Sequence, residues 1–258
     1  MLYTPFDFNE AIGHRQEYVE DRLRDGSPVV GLSYDEGLLL LTVTLSQRKI
    51  FEIYDRLLYS AIGNQSDVEA IRVAAVDVAH REGYDRSPDD VTAHRLVGFA
   101  LSPPVKRLFG DQVNAPAVVR AIFGELGAAP PDDAFYVLNY DGEFRRSSPW
   151  AVVAGTTEAE QRAGELLAEA AHPLGRREAL SLALRAWSVG AAAGRRPPKD
   201  EPDEADPGGL ADRAAALLRE QLDLGRIEVG LLDRLTRRDA RYSALPDEEI
   251  ASLAAEVR

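Results

Sequence analysis

The sequence predicts an α+β fold, a four-layer αββα sandwich in which two antiparallel sheets lie between two pairs of helices. Three observations predict it. A run of four short strands comes first, two helical stretches follow, and the same order of strands and then helices is repeated. Runs of this kind favour antiparallel sheets flanked by helices over a doubly wound parallel sheet. A chain of 258 residues that is 45% apolar can also bury a full core.

The first helix is predicted over residues 9–25, where Val19 and Leu23 are among the apolar positions and Gly26 follows as a stop. Four strands come next without an intervening helix. They are predicted at residues 29–33, 38–45, 49–55 and 57–63, and a tight turn at residues 34–37 joins the first two.

The first helix pair begins where the apolar period changes from two to about 3.6. Ser66 and Glu69 have the spacing of a capping box and predict a helix over residues 66–83. Ser87 followed by Pro88 predicts the start of the second helix. That helix is expected to break or kink at residues 103–104, which are both proline.

The second run of strands is predicted at residues 118–123, 134–140, 143–146 and 150–154, with Asp141 and Gly142 as a hairpin turn. Helices over 158–171 and 176–189 follow, then a helix over 210–222 and a strand over 226–233 that completes a sheet. We therefore predict a main domain formed by residues 9–190 and 210–235. Residues 1–8 form an N-terminal tail, 191–209 a disordered acidic, proline-rich insertion, and 236–258 a C-terminal tail that includes a short acidic helix.

The composition argues against several classes of partner. Lys and Arg number 30 against 43 Asp and Glu, and the resulting charge of −13 repels phosphate backbones and anionic lipid. No apolar run approaches the roughly 20 residues that span a bilayer. Asp7 and Glu10 lie where a signal peptide would be basic and then apolar. We expect a soluble cytoplasmic protein that binds neither nucleic acid nor membrane.

Metal and cofactor chemistry is not expected. Cysteine is absent, which excludes disulfides, thiolate metal sites and a cysteine nucleophile. The four histidines are scattered and have no metal-ligand spacing: His14, His80, His94 and His172. We assign no metal and no cofactor.

Four stretches together resemble the proteasome alpha subunit, particularly its actinobacterial members, within the N-terminal-nucleophile hydrolase superfamily. They are residues 15–32, 47–56 and 60–63, and the pair 140–142 with 155–158. Each piece alone is common, but their order and spacing are specific. The resemblance extends over about the first 190 residues and the strand near Arg226. It implies the αββα fold predicted above.

The resemblance implies a non-catalytic protein. An active member needs Thr, Ser or Cys as its first residue after processing, so that the free α-amine can act as the base. In this chain Ser27 and Pro28 occupy the start of the first strand, and a helix precedes them. No acid follows near residues 41–44, and Lys49 alone matches a catalytic position of the beta type. A lysine without a nucleophile cannot perform acyl transfer.

The resemblance also implies partners and a role in gating. The subunit is expected to form a homo-oligomeric, heptameric ring that stacks on beta-type subunits and passes unfolded substrates. Lys49 would lie in a pocket between neighbours and bind the C-terminal carboxylate of a ring ATPase activator. Gly63 would allow close backbone approach beside this pocket. Residues alone leave two alternatives: Lys49 is solvated or pairs with Glu52, and Gly63 simply ends a strand.

The N-terminal segment is rich in aromatic residues and too short to form its own core. Tyr3, Pro5, Phe6 and Phe8 lie within it, and in the family such a tail closes the axial pore. Tyr18 resembles the tyrosine that braces the tail; alternatively it packs on a neighbouring subunit. The acidic insertion is either a docking site for a basic partner or a solvated loop.

Two other functions remain open from the sequence. One is an active hydrolase in which cleavage after Gly26 exposes Ser27 as the nucleophile. The other is an orphan scaffold of the same fold that joins no protease.

Overall fold

The computed structural model describes residues 5–111, 113–195 and 207–255, except for the side chains of residues 5–8, 207 and 208. Its strands are β1 Val29–Tyr34, β2 Gly37–Thr44, β3 Phe51–Tyr54, β4 Leu57–Gly63, β5 Val119–Glu125, β6 Ala134–Leu138, β7 Phe144–Ser147, β8 Trp150–Val153, β9 Arg226–Asp233 and β10 Tyr242–Ala244. Its helices are α1 Pro5–Leu23, α2 Gln65–Asp85, α3 Ala93–Arg95, α4 Ser102–Gly110, α5 Thr157–Ala168, α6 Arg176–Gly194, α7 Pro207–Leu224 and α8 Asp247–Ala255. A π-helical segment, Leu96–Leu101, joins α3 to α4, and 3₁₀ turns lie at Pro88–Asp90 and Pro130–Asp132.

The strands form two five-stranded sheets in the described part of the chain. One has the order β10-β9-β2-β1-β8 and the other β3-β4-β5-β6-β7. All neighbouring strands in both sheets are antiparallel. This confirms the predicted fold class.

Three apolar clusters define the layers of the sandwich. One lies between the β2 sheet and helices α5 to α7, and includes Ala183 and Trp187. A second lies between the β4 sheet and the α2 to α4 region, and includes Ala75 and Phe123. The third fills the space between the two sheets and includes Phe135. The order of layers is therefore helix, sheet, sheet, helix, as predicted.

Strand β2 explains why the leucine run at residues 38–41 has no polar interruption. All its residues are buried. Leu39 and Leu41 belong to the cluster under α5 to α7, whereas Leu38 and Leu40 belong to the cluster between the sheets. Both faces of the strand are covered, so alternation of apolar and polar residues is not required.

Helix α1 is longer at its start than the sequence predicted. It begins at Pro5 rather than at residue 9, so Pro5, Phe6 and Phe8 belong to the helix and not to a separate tail. Proline is favourable in the first turn because its missing N–H has no intrahelical partner there. Tyr3 lies outside the described residues.

The C-terminal end of α1 anchors the helix to the sandwich. Val19 and Leu23 are fully buried in the cluster between the sheets. The helix ends at Leu23, and the N–H of Gly26 donates to the Leu23 carbonyl at 2.8 Å. Gly26 therefore follows the helix end as predicted, although the helix ends two residues before the predicted boundary.

The capping box predicted at Ser66 and Glu69 is wrong. Helix α2 begins after Asn64, and Glu69 forms an ion pair with Arg72 instead of turning back to the helix start. The Asp67 carboxylate accepts from the Val118 N–H at 2.8 Å and links the helix start to the sheet. A neighbouring side chain of the same helix has thus taken the carboxylate that the capping box would use.

The prolines at 103 and 104 do not break the second helix. The chain stays helical from Ala93 to Gly110. The turn before the prolines is widened, and the Ser102 N–H donates to the Val97 carbonyl five residues earlier. Such π-helical turns accommodate residues that cannot join the regular ladder. The signal at Ser87 instead starts the short 3₁₀ turn, where its hydroxyl accepts from the Asp89 N–H.

The later turn and cap predictions agree with the structure. Gly142 has φ of +83° in the turn between β6 and β7. The Thr156 hydroxyl accepts from the Ala159 N–H at the start of α5. The boundaries of the predicted insertion are different, because α6 continues to Gly194 and α7 begins at Pro207. Residues 196–206 of that insertion lie outside the described part of the chain.

The predicted C-terminal tail, residues 236–258, requires a correction. Strand β10 pairs with β9, with Ser243 opposite Leu231, and forms an edge of the first sheet. Helix α8 follows and buries Leu253 in the cluster under α5 to α7. Only three residues pair in β10, and the arginine-rich segment before it has no apolar alternation, so the sequence carries little signal for this strand.

Candidate functional site

The candidate site is the corner of the sandwich where the α1–β1 junction meets the connection from β2 to β3. Lys49 lies in that connection, two residues before β3. Its Nζ donates a hydrogen bond to the Ser27 carbonyl at 2.9 Å. This bond links the β2–β3 connection to the segment that joins α1 to β1. We call Ser27, Lys49, Gly63 and Glu228 the Lys49 corner.

The backbone at Lys49 is held by a carboxylate from a distant strand. The Lys49 N–H lies 2.9 Å and 3.1 Å from the two carboxylate oxygens of Glu228 in β9. The Ile50 N–H donates to Oε1 of the same residue at 2.9 Å. Ile50 is fully buried, so its side chain fixes the far side of this connection in the core.

The ammonium of Lys49 occupies a desolvated environment. Burial lowers its pKa from the ordinary 10.5 to about 8, and the negative charge of Glu228 opposes this change. Desolvation disfavours the charged form of a lysine, whereas a nearby carboxylate favours it. Near neutral pH the group is therefore charged but weakly compensated. The alternative pairing of Lys49 with Glu52 is wrong, because the charges that shift the pKa of Glu52 are those of Asp55 and Arg48.

The Ser27 hydroxyl is engaged by other groups. It donates to the Val43 carbonyl at 2.7 Å and accepts from the indole N–H of Trp187 at 3.2 Å. The Thr42 hydroxyl lies 3.3 Å away and donates to the Pro28 carbonyl at 2.7 Å. Lys49 thus contacts the carbonyl of residue 27, and the hydroxyl proton is directed to a backbone oxygen.

Gly63 ends β4 in a conformation that favours glycine. Its φ is +132°, and a Cβ atom would lie 2.0 Å from the Val118 carbonyl oxygen. The residue is exposed. The register of the β3–β4 hairpin, with Phe51 opposite Tyr59, puts Lys49 and Gly63 toward the same end of it. The close backbone approach predicted for Gly63 is thus made to the start of β5.

The α1–β1 junction packs closely against the end of β4. A Cβ atom on Gly26 would lie 3.0 Å from the Ile62 Cβ, next to Gly63. Ser27, which follows Gly26, accepts the bond from Lys49. The corner therefore combines the α1–β1 junction, the β2–β3 connection, the end of β4 and strand β9.

Helix α1 is attached at two further points along its length. Arg15 donates from Nε to the Phe109 carbonyl at 2.8 Å and from Nη2 to the Leu108 carbonyl at 3.0 Å, at the C-terminus of α4. A cation is favourable at that end of a helix. The Tyr140 hydroxyl donates to the Glu20 carboxylate at 2.8 Å. The helix is thus tied to both the α4 end and the β6–β7 turn.

Tyr18, predicted to brace the N-terminal tail, is 41% exposed on α1. The Arg22 guanidinium lies over its ring, 5.1 Å from the centroid. The described residues include no side chain of the segment that Tyr18 was expected to brace, because residues 1–8 have none described. Its bracing role stays a prediction.

The described residues lack both a metal-binding cluster and a membrane-spanning helix. No group of three or more His, Asp and Glu side chains among residues 5–111, 113–195 and 207–255 is close enough to hold a metal ion. In the same residues, no helix combines the length and apolar character needed to cross a bilayer.

Sequence reasoning missed Glu228. The local signal is an acid in the interior of β9, between Ile227 and Val229. Such a residue on a partly buried strand face needs a partner. The sequence could have raised that question, but its partners lie 178 and 179 residues earlier in the chain.

Comparison with known proteins shows similarity along most of the chain. A protein of Actinosynnema mirum named proteasome subunit alpha is 32% identical over 181 residues, which cover 69% of this chain and 67% of that protein. Proteins of the same name from Acidothermus cellulolyticus and Kineococcus radiotolerans are each 30% identical. The match to the Acidothermus protein covers 79% of this chain and 87% of that protein. The match to the Kineococcus protein covers 98% of this chain and 99% of that protein. No protein-family model matches the chain.

Proposed function

This chain belongs to the family of proteasome alpha subunits, and from that premise we propose that it is a non-catalytic subunit of a ring that controls substrate entry into a proteasome core particle. The single observation that carries the proposal is the position of Ser27 in the chain and the group to which Lys49 donates. Ser27 lies inside the chain between α1 and β1, and its carbonyl, not its hydroxyl, accepts from Lys49.

The contacts of Ser27 support a non-catalytic role. A nucleophile of this class needs a base next to its hydroxyl. Here the hydroxyl donates to the Val43 carbonyl and accepts from Trp187. A backbone carbonyl cannot take up a proton in acyl transfer. In the chain as described, the Ser27 nitrogen belongs to a peptide bond and is not a free amine, so the base that this class uses is lacking.

Helix α1 supports the same conclusion against the processed hydrolase. Cleavage after Gly26 would remove Val19 and Leu23, both fully buried between the sheets. Burial of each such side chain contributes roughly 1.5–3 kcal/mol. A segment with this stabilising role differs from a propeptide that is discarded after folding.

We assign the docking of a ring ATPase activator to the Lys49 corner. The Lys49 ammonium has three N–H donors and makes one described hydrogen bond, to Ser27. A C-terminal carboxylate would give this desolvated cation a charge-assisted partner. Gly63 lies toward the same end of the β3–β4 hairpin, and its exposed backbone lets another chain approach closely. In a chain of net charge −13, such a cation is a distinct target for a carboxylate.

The mechanism we propose is access control by the N-terminal segment. The Lys49 bond to Ser27 joins the docking corner directly to the segment that follows α1. A carboxylate that accepts from the other N–H donors of Lys49 would change the strength of this bond and favour a different position of α1. The closed and open populations would shift by the difference in activator affinity for the two states. Tyr3, Pro5, Phe6 and Phe8 would then form the gate, with Tyr18 as its brace.

The assembly we propose is a heptameric ring of identical chains that stacks on beta-type subunits in the cytoplasm. A closed ring of identical subunits needs two different complementary surfaces on each chain. The ring ATPase docks at its outer face, and unfolded protein substrates pass through its pore. The orphan scaffold would instead lack a beta-type neighbour.

The direct test is to co-produce the chain with the beta-type subunit of the same organism and to image the purified particle. We expect closed rings of this chain stacked on beta rings. The intact mass should retain residues 1–26, and an electrophilic inhibitor of N-terminal nucleophiles should label the beta-type chain alone. Absence of stacked rings, or a labelled chain that starts at Ser27, would contradict the proposal.

A further inference from the structure

Glu228 makes contacts that a strand residue does not need for the sheet. Strand β9 pairs with β2, where Glu228 lies opposite Thr42. Its carboxylate extends beyond this pairing and accepts from the N–H groups of two consecutive residues, Lys49 and Ile50. Bonds from backbone amides to an ionised carboxylate are stronger than bonds between neutral groups.

The result is a fixed direction for the Lys49 side chain. The amide of Lys49 is held by β9, and its ammonium is held at the Ser27 carbonyl 2.9 Å away. The next residue, Ile50, is fully buried. The aliphatic part of Lys49 therefore runs between two anchored ends, one in β9 and one in the α1–β1 junction.

Neighbouring charged side chains face elsewhere. Arg48 donates from Nε to the Ile50 carbonyl at 2.8 Å and from Nη2 to the Tyr242 hydroxyl at 2.7 Å. Glu52 interacts with Arg48 and Asp55. Glu228 is the charged group that acts on the pKa of Lys49 among the described residues.

We propose that Glu228 is the positioning residue of the Lys49 corner: its carboxylate fixes the peptide at residues 49–50 and keeps the Lys49 ammonium directed at the α1–β1 junction. The proposal deepens the docking role and rests on the proposed function. Glu228 does not bind the incoming carboxylate. It sets the position and the charge of the group that does.

This role has a physical consequence for docking. A lysine held at both ends loses less conformational freedom when a ligand binds, and a preformed site binds more tightly. The Glu228 charge also keeps the ammonium protonated against the effect of burial. Removal of the carboxylate charge should therefore weaken activator docking. It should also lower the pKa of Lys49, so that the ammonium loses its charge, and docking is lost, at a lower pH.

The test compares Glu228→Gln with the wild-type assembled particle in the absence of activator. The chain has three lysines, Lys49, Lys106 and Lys199, so the signals of lysines labelled with ¹³C at Cε in this chain alone can be assigned by substitution and titrated individually. We expect the pKa of Lys49 to fall below its wild-type value in Glu228→Gln. Amide hydrogen exchange at residues 49 and 50 should rise roughly tenfold, the equivalent of one lost charge-assisted bond.

Two control variants separate charge from position. Glu52→Gln removes a carboxylate that interacts with Arg48 and Asp55, and should leave the titration of Lys49 unchanged. Glu228→Asp keeps the charge but shortens the side chain, and should raise amide exchange at residues 49 and 50 with a smaller change in the Lys49 pKa. This variant also serves if Glu228→Gln does not assemble.

Wild-type titration of Lys49 and wild-type amide exchange in Glu228→Gln would overturn the proposal. A purely structural role would change stability without a specific change at Lys49. With the ATPase present, Glu228→Gln should need more ATPase for half-maximal stimulation while reaching a similar maximum. Normal stimulation of Lys49→Met particles would contradict the docking role of Lys49. The Lys49 titration and the amide exchange at residues 49 and 50, both measured without activator, would still test whether Glu228 positions Lys49.

Discussion

Two clusters of this protein place a charge in the interior, and they differ in how completely that charge is paired. At the first, both carboxylate oxygens of Asp133 have two partners. Arg234 donates to each oxygen, the Ser33 hydroxyl donates to Oδ2, and the Gly127 N–H donates to Oδ1. We call this the Asp133 cluster. At the Lys49 corner, the ammonium has one described hydrogen bond and a lowered pKa.

The two clusters therefore differ in their capacity to bind a ligand. Asp133 is fully buried and every lone-pair direction is occupied, so the Asp133 cluster has no capacity for a ligand. It joins β1, the turn before β6 and the end of β9. Lys49 is desolvated without full compensation, so an incoming carboxylate would complete its environment. A partly buried, incompletely paired cation is therefore a better candidate for binding than a completely paired buried carboxylate.

The largest effect is expected from Asp133→Ala. This change leaves Arg234, whose side chain is 14% exposed, without its carboxylate. Loss of one partner of a buried pair costs about 3–5 kcal/mol. Denaturant unfolding at a fixed protomer concentration measures the loss. The control Glu165→Ala, which removes an exposed ion pair with Arg162, should cost less than about 1 kcal/mol. Equal costs for the two variants would show that the Asp133 cluster is not an interior pair.

A smaller loss is expected from Gly63→Ala. The φ is +132°, and a Cβ atom at this residue would meet the Val118 carbonyl oxygen at 2.0 Å, so the end of β4 must move. Strain of this kind costs roughly 1–3 kcal/mol. Gly13→Ala is the matched control, because a Cβ there meets nothing within 4 Å. In the middle of α1, alanine should stabilise the helix by about 0.5–1 kcal/mol. If Gly63→Ala raises the thermal unfolding temperature as Gly13→Ala does, the backbone at Gly63 is not restricted.

Lys49→Met, unlike Asp133→Ala, should not lower the free energy of unfolding substantially. Methionine keeps an unbranched apolar side chain and removes a desolvated ammonium that has one described bond. We expect the free energy of unfolding to stay within about 1 kcal/mol of wild type or to rise, because replacing a poorly compensated charge by an apolar group is often neutral or favourable. A loss comparable with that of Asp133→Ala would erase the distinction between the two regions.

A further prediction is a pH dependence of the same comparison. The pKa of Lys49 is about 8 in the folded protein and ordinarily 10.5, so between these values the unfolded chain binds more protons. The contribution of Lys49 to the free energy of unfolding therefore rises with pH across this window, by at most about 1.4 kcal/mol per pH unit. Any stability advantage of Lys49→Met over wild type should be greatest near pH 7 and decline toward pH 10. A constant difference would show that Lys49 titrates normally.

The sequence predicted those parts of the fold that depend on local patterns. The leucine run at 38–41, the turn at Gly142 and the cap at Thr156 depend on the local backbone and on burial of strand faces. The start of α1 at Pro5 was missed, although a proline in this place is typical of the first turn of a helix. The capping box predicted at Ser66 and Glu69 was wrong because Glu69 pairs with Arg72 within the helix.

The candidate site was predicted only in part, for a related reason. Lys49 and Gly63 were identified from the resemblance, and the glycine has a measurable backbone requirement. Glu228 and the bond to Ser27 join segments that are far apart in the chain, so no local pattern encodes them. The Asp133 cluster was missed likewise, since Ser33 and Arg234 each lie 100 or more residues from Asp133.

The central claim is tested most directly by degradation of an unfolded protein by particles that carry Lys49→Met, with and without the ATPase. We predict wild-type ring assembly but loss of the ATPase-dependent increase in turnover. Particles with Lys106→Met, which removes an exposed lysine of α4, should respond like wild type. Full stimulation of the Lys49→Met particle would contradict the assignment of the Lys49 corner as the docking site.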